Sequence, residues 1–134
     1  MSQKPLTEAE LNALYREGVE ADLDSLGAIL SRIKETEGDS AAEAFDEARG
    51  TLHNVKGQGT SFGFPLMTQI GESFHALVKF QATQPGVNPD VVQLYEAHLT
   101  AMKTIIANDI RGDGPDLLQK VAASLEEKVK HTIF

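Results

Sequence analysis

From Ala41 to Phe62, apolar or small residues recur in alternating steps of four and three: Ala41, Phe45, Ala48, Leu52, Val55, Gly59 and Phe62. That spacing keeps one stripe of a 3.6-residue helix apolar, so it predicts a long amphipathic helix with a single buried seam. The same period recurs in four other stretches. Leu23, Leu26, Leu30 and Ile33 mark one helix before it. Leu66, Ile70, Phe74, Leu77 and Phe80 mark the next, then Tyr95, Leu99, Met102 and Ile106, and finally Leu118, Val121, Leu125 and Val129. No stretch shows a convincing strand pattern.

Punctuation residues set the expected boundaries. Thr7-Glu8-Ala9-Glu10 has the spacing of a capping box and opens the first helical stretch. Gly18 is the place where that stretch can divide into two helices, and Glu37-Gly38 ends it. Asp39 or Ser40 then caps the second helix. Gly63-Phe64-Pro65 closes this helix and opens the third, because proline suits a first helical turn. Gln84 to Asp90 is a turn-rich loop, and Gly112-Asp113-Gly114-Pro115 is the last break. Long amphipathic helices with short connections pack as antiparallel neighbours. The expected fold is therefore all-α: an up-and-down antiparallel four-helix bundle over residues 39–134, with residues 1–38 as an N-terminal helical extension of the same single domain. That extension can complete the bundle, cover one side of it or mediate dimerisation, and the pattern does not choose.

Composition narrows the function. The 134 residues are 41% hydrophobic and 24% charged, ordinary for a globular domain with a real core. No apolar run approaches the roughly 20 residues of a membrane span, and Met1 to Pro5 lacks the apolar centre of a signal peptide. The expectation is a cytoplasmic protein without a membrane partner. There is no cysteine, which excludes disulfides, thiolate metal sites and cysteine nucleophiles. The formal net charge is −8, and Lys and Arg are scattered, so nucleic acid is not an expected partner. Against that acidic background a local positive group stands out.

Such groups gather on the second helix, in the run from His53 to Gly63, HNVKGQGTSFG. Successive helical residues turn by about 100°, so His53 falls at the border of the seam marked by Leu52. Arg49, Lys56, Gly57 and Thr60 follow it at i−4, i+3, i+4 and i+7, forming a polar, basic face. Gly57 is odd there, since glycine inside a helix costs about 1 kcal/mol against alanine; Gly59 repeats the oddity on the core side. A glycine beside a reactive side chain is explained when another backbone or a bulky partner must come close. A neutral imidazole can attack phosphorus through one ring nitrogen if the other keeps its proton against an acceptor. Lys56 can offset the phosphoryl charge. The acceptor should come from the next helix, where Glu72 and His75 lie one turn apart. A carboxylate is the better acceptor, which favours Glu72. His98 and His131 have no such pattern around them and are expected to be structural.

The segment LHNVKGQGTSFGF resembles the active-site helix of the histidine-containing phosphotransfer (HPt) family, and is most similar to the phosphorylated domain of chemotaxis-type histidine kinases, with its H-x-x-K-G followed by F-G. The resemblance is strong over the motif and covers the bundle from about residue 39 to 130 in outline. It implies a phosphorelay intermediate of two-component signal transduction. His53 would accept a phosphoryl group from a receiver-domain aspartate and pass it to another. Lys56 matches the family lysine, and Gly57 the glycine that leaves room for docking. The partners it implies are receiver domains of response regulators and hybrid histidine kinases. Docking would use Arg49, Gly57 and Thr60, with Phe64 and Met67 as apolar candidates that could equally belong to the core. One departure is that the family places a histidine before a glutamate on the neighbouring helix, whereas here Glu72 precedes His75. The chain also has no phosphate-cradling glycine loop, so it is expected not to phosphorylate itself from ATP. It would bind no cofactor or metal of its own; the Mg²⁺ of the transfer would sit on the receiver. A monomer is expected.

Two rivals remain. An HPt-like bundle can dock receivers or inhibit a kinase without carrying phosphate. A di-metal bundle would use Glu-x-x-His, present as Glu72 to His75, but that chemistry needs the motif twice, and Glu96 with His98 or Glu127 with His131 have the wrong spacing.

Overall fold

The computed structural model describes residues 5–36 and 39–133, and all their regular structure is helical. Thr7 opens α1 (Glu8–Glu35): its hydroxyl accepts the Glu10 amide at 3.1 Å, and the Glu10 carboxylate accepts the Thr7 amide at 3.4 Å. Two of the helix's free amides are thereby satisfied. Gly18 does not divide this segment, contrary to expectation; α1 runs through it without a break. Gly18 lies on the exposed face, while Val19, Leu23 and Leu26 bury the other, so packing outweighs a local propensity cost of about 1 kcal/mol. The expected stop at Glu37-Gly38 lies outside the described residues, as do the side chains of Asp39 and Ser40.

α2 (Asp39–Gln58) is shorter than the periodicity suggested. The seam positions Gly59 and Phe62 still point inward, but the chain has left the α-helix and makes a 3-10 turn, Thr60–Phe62. The Gly59 carbonyl accepts both the Phe62 amide (3.2 Å) and the Phe64 amide (2.8 Å), and Gly63 takes a left-handed φ of 88°. That conformation suits glycine and turns the chain into α3 (Pro65–Gln81), with Pro65 in the first turn as expected. Asn88 caps α4 (Pro89–Ala107) by accepting the Asp90 amide at 2.9 Å. α5 (Asp116–Ile133) follows a loop with two left-handed glycines, Gly112 and Gly114.

The five helices form one bundle around a shared core. α1 is part of that core: Tyr15, Val19, Leu23, Leu26, Ile29, Leu30 and Ile33 are buried, against α2 and α4. The Tyr95 hydroxyl donates to the Leu26 carbonyl at 2.7 Å, and Arg16 Nη2 donates to the Ile106 carbonyl at 3.1 Å. Arg32 pairs with Glu47 at 2.7 Å, and Lys34 pairs with Glu96. The seams of the other helices are inward, with small drifts. Phe80 is only half-buried while Val78 and Gln81 are buried, because α3 is enclosed by α2, α4 and α5 and needs a wide apolar face. On α5, Leu118 and Val121 are half-buried, and Ala122, Leu125 and Val129 carry the core. No helix of the described residues is long and apolar enough to cross a membrane.

One buried polar group has a measurable consequence. His98 is fully buried, with Nδ1 2.6 Å from the Leu94 carbonyl and Nε2 2.8 Å from Ser73 Oγ. A carbonyl only accepts, so Nδ1 carries the proton and the Ser73 hydroxyl donates to Nε2. Burial pushes the His98 pKa down from 6.5 to about 4, against a smaller opposing effect of the Leu94 carbonyl. Between these values the unfolded chain binds a proton that the folded chain does not, so stability is highest above pH 6.5 and falls as the pH drops towards 4. The loss attributable to this group is on the order of 3 kcal/mol. Urea unfolding of wild type and His98→Phe across this range should give a shallower pH dependence for the variant. Equal slopes would mean that the imidazole is not the responsible group.

Candidate functional site

The widest helix contact is between α2 and α3, and three observations set its register. The Thr60 amide and hydroxyl both meet Thr68 Oγ1 at 2.9 Å. A Cβ placed on Gly71 would lie 3.0 Å from Lys56 Cβ and 3.2 Å from Lys56 Cα. The rings of His53 and His75 are 6.4 Å apart, centre to centre. Each turn back along α2 is matched by a turn forward along α3, so the two helices run past one another in opposite directions. Gly71 is a site residue that sequence reasoning passed over. Its signal was present: a glycine on the seam side of a helix, beside Ile70, at a propensity cost that only close backbone approach repays.

His53 is exposed on the outer border of α2, as its position beside Leu52 predicted. His75 is half-buried opposite it, the ring planes inclined by 49°. Burial lowers the His75 pKa first, and Lys56, Lys79, His53 and Arg49 lower it further. Lys56 is half-buried where the two backbones touch, and Lys79 lies one turn beyond His75. Arg49 is held by Asp46, with its Nη2 2.7 Å away. A chain of net charge −8 thus concentrates three fixed cations and two imidazoles on one side of the α2–α3 pair. Glu72 is exposed and makes no hydrogen bond or ion pair among the described residues. The group brought opposite His53 is His75; no hydrogen bond joins His53 to either.

The two glycines of the motif serve different purposes. A Cβ on Gly57 would meet nothing within 4 Å, and the residue is exposed, so the surface next to His53 is open. A Cβ on Gly59 would fall 2.7 Å from Thr68 Oγ1 and 2.8 Å from the Phe64 carbonyl, so this glycine is required inside the fold by the start of α3.

Thr60 is placed differently from the sequence reading, and of the two places open to Phe64 and Met67 the structure takes the core. Thr60 is exposed, but it belongs to the 3-10 turn and bonds to Thr68, so it does not continue the His53 face of α2. Phe64 and Met67 are fully buried and cannot contact a partner. The left-handed Gly63 folds Phe64 inward beneath Tyr15, ring centres 5.6 Å apart, with the Arg111 guanidinium 4.7 Å from the Phe64 ring centre. The large apolar residues that α1 leaves exposed are Leu11 and Leu14, on the helix whose Tyr15 stacks on Phe62 at 4.5 Å.

Of the remaining histidines, His98 is the buried core group described above, and His131 is exposed, with Nε2 3.1 Å from Glu127. Among the described residues no three His, Asp or Glu side chains converge to hold a metal ion. No protein-family model, curated protein or solved structure matches the chain.

Proposed function

We propose that the chain is a phosphoryl-carrier protein of the histidine phosphotransfer class, a cytoplasmic, monomeric intermediate between receiver domains of two-component signal transduction. The observation that carries this is an exposed imidazole set among fixed cations beside an open glycine, on an otherwise acidic protein. In this proposal the up-and-down four-helix bundle is α1 to α4, since α1 lies on α2 and α4, α2 on α3 and α3 on α4, while α5 packs on α3 and α4. The N-terminal helix is thus a member of the bundle and not an extension of one formed by residues 39–134. The connections at residues 59–64 and 82–88 are short enough for it.

In the forward step a neutral nitrogen of His53 attacks the phosphorus of a receiver's aspartyl phosphate. A nitrogen–phosphorus bond forms, the phosphorus–oxygen bond breaks, and its electron pair leaves on the aspartate carboxylate. The other ring nitrogen keeps its proton. Delivery to a second receiver is the reverse. The Lys56 ammonium lies one turn from His53 and offsets charge on the phosphoryl oxygens, while Mg²⁺ belongs to the receiver. The chain itself supplies no ATP chemistry.

The test is transfer from a panel of phosphorylated receiver domains, with an ATP-only control. Acid-labile, base-stable label on this chain, and none from ATP, is the expected result. Lys56→Ala should slow transfer by about 10- to 100-fold, the worth of one charge-assisted contact, with receiver binding little changed. An unchanged transfer rate would remove Lys56 from the mechanism. The lack of a carboxylate bonded to His53 favours a second reading, a docking or kinase-inhibiting bundle that carries no phosphate. Receiver binding without label would select it.

A further inference from the structure

We infer that His75 is the positioning residue for His53: drawn opposite it by the close approach of α2 and α3 at Gly71, its neutral imidazole holds the His53 ring in the tautomer that attacks phosphorus. This rests on the phosphoryl-carrier function proposed above.

The geometry begins at Gly71. Having no side chain, it lets the α3 backbone lie directly on Lys56, where an added Cβ would come within 3.0 Å of Lys56 Cβ and 3.2 Å of its Cα. One turn from that contact, in opposite directions on the two helices, stand His53 and His75, with ring centres 6.4 Å apart. A direct N–H···N bond would bring two imidazole centres to about 5 Å. The remaining gap accepts one bridging water or closes with a small side-chain rotation. Glu72 is exposed, whereas His75 is half-buried with its ring facing that of His53.

The chemistry sets a requirement on His75. The attacking nitrogen of His53 needs a free electron pair, so the proton must stay on the other nitrogen and be held by an acceptor. A neutral imidazole offers one acceptor nitrogen; an imidazolium offers none. The groups around His75 keep it neutral. From α2 it faces Arg49, His53 and Lys56, and on α3 it has Lys79 one turn on and Glu72 one turn back; α4 and α5, which also pack on α3, bring no charge to bear on it. Burial and the facing cations hold its pKa below 6.5. When His75 does take a proton, it becomes a donor and adds a positive charge, and His53 loses its acceptor. Charging therefore requires two neutral imidazoles.

Phosphoramidate, used with the full chain alone, tests this without a receiver. Its phosphorus–nitrogen bond breaks, ammonia leaves, and the phosphoryl group forms a new bond to His53. The labelling rate is followed from mildly basic to mildly acidic pH and divided by the rate on free imidazole in the same solution. That ratio cancels the donor's titration and the ordinary titration of one imidazole. For wild type the ratio should fall by up to about tenfold per pH unit on the acid side, as expected for one additional required deprotonation. His75→Gln should lower the ratio about tenfold near neutrality and leave it flat, and His75→Glu, with a carboxylate acceptor, should restore the rate and stay flat. Ring-proton NMR should show the His75 ring losing its proton below the ordinary imidazole range in wild type. Label on His53 with the same ratio and the same pH profile in His75→Gln overturns the role of His75 alone. A His75 ring that stays protonated through neutral pH does the same. No label on wild type at any pH removes the phosphoryl-carrier function and this role together.

Discussion

His53→Gln abolishes labelling from every phosphorylated receiver and leaves the helical signal and unfolding midpoint close to wild type. The expectation has two parts, and each follows from placement. Glutamine has no ring nitrogen that can form a phosphoramidate bond, so if His53 is the acceptor the loss is complete and not graded. His53 is exposed, while its neighbours Leu52 and Val55 carry the core contacts of that turn, so removing the imidazole opens no cavity. Circular dichroism beside the transfer assay checks both. Residual label would point to a second acceptor, with His75 the nearest imidazole. A large loss of helicity would mean that His53 is a structural residue and not a surface nucleophile.

Gly57→Leu should move stability and transfer in opposite directions. Leucine is a better helix former than glycine by up to about 1 kcal/mol, and nothing lies within 4 Å of the position where its Cβ would stand, so the isolated protein should be equally or more stable. The same side chain would stand beside His53 on the surface a receiver must approach. Overpacking an interface costs about 1–3 kcal/mol, which corresponds to roughly 5- to 150-fold slower transfer from a receiver. Charging by a small phosphodonor should be nearly unaffected, because it needs no protein surface. Denaturant unfolding, receiver transfer and small-donor labelling on one preparation separate these effects. Normal receiver transfer in Gly57→Leu would show that the open surface is not the docking face.

Gly59 makes the contrast instructive. Both glycines interrupt the same helical pattern, Gly57 on the His53 face and Gly59 on the core side, and in the sequence each reads as a place where another backbone or a partner comes close. In the structure only Gly57 is open; Gly59 is filled from within by Thr68 and the Phe64 carbonyl. A glycine announces that something comes close, but not whether that is another molecule or the next helix of the same chain. Phe64 and Met67 illustrate the same limit. Each is an apolar residue near the reactive end of the motif, and burial, which depends on the Gly63 turn and on Tyr15, decides that they belong to the core.

What the amino-acid order determined by itself was everything governed by local periodicity: an all-helical chain, the inward faces of its helices, the Thr7 cap, the turn at Gly63-Phe64-Pro65, and the position of His53 at the edge of a buried seam with Lys56 one turn on. These depend on a 3.6-residue repeat and on backbone preferences that a short window contains. What only the tertiary structure decided was every relation between helices. α1 is unbroken at Gly18 and buried in the core. α2 gives way at Gln58 to a 3-10 turn, because α3 begins against Gly59. Above all, the tertiary structure brings a half-buried His75 opposite His53 and leaves the chemically preferred Glu72 exposed. The two lie only one turn apart on α3, and one turn is about 5.4 Å of rise. Which of them meets His53 depends on where α3 rests on α2, and that register is set by the contact of Gly71 with the Lys56 backbone, a packing event that no repeat along the chain encodes.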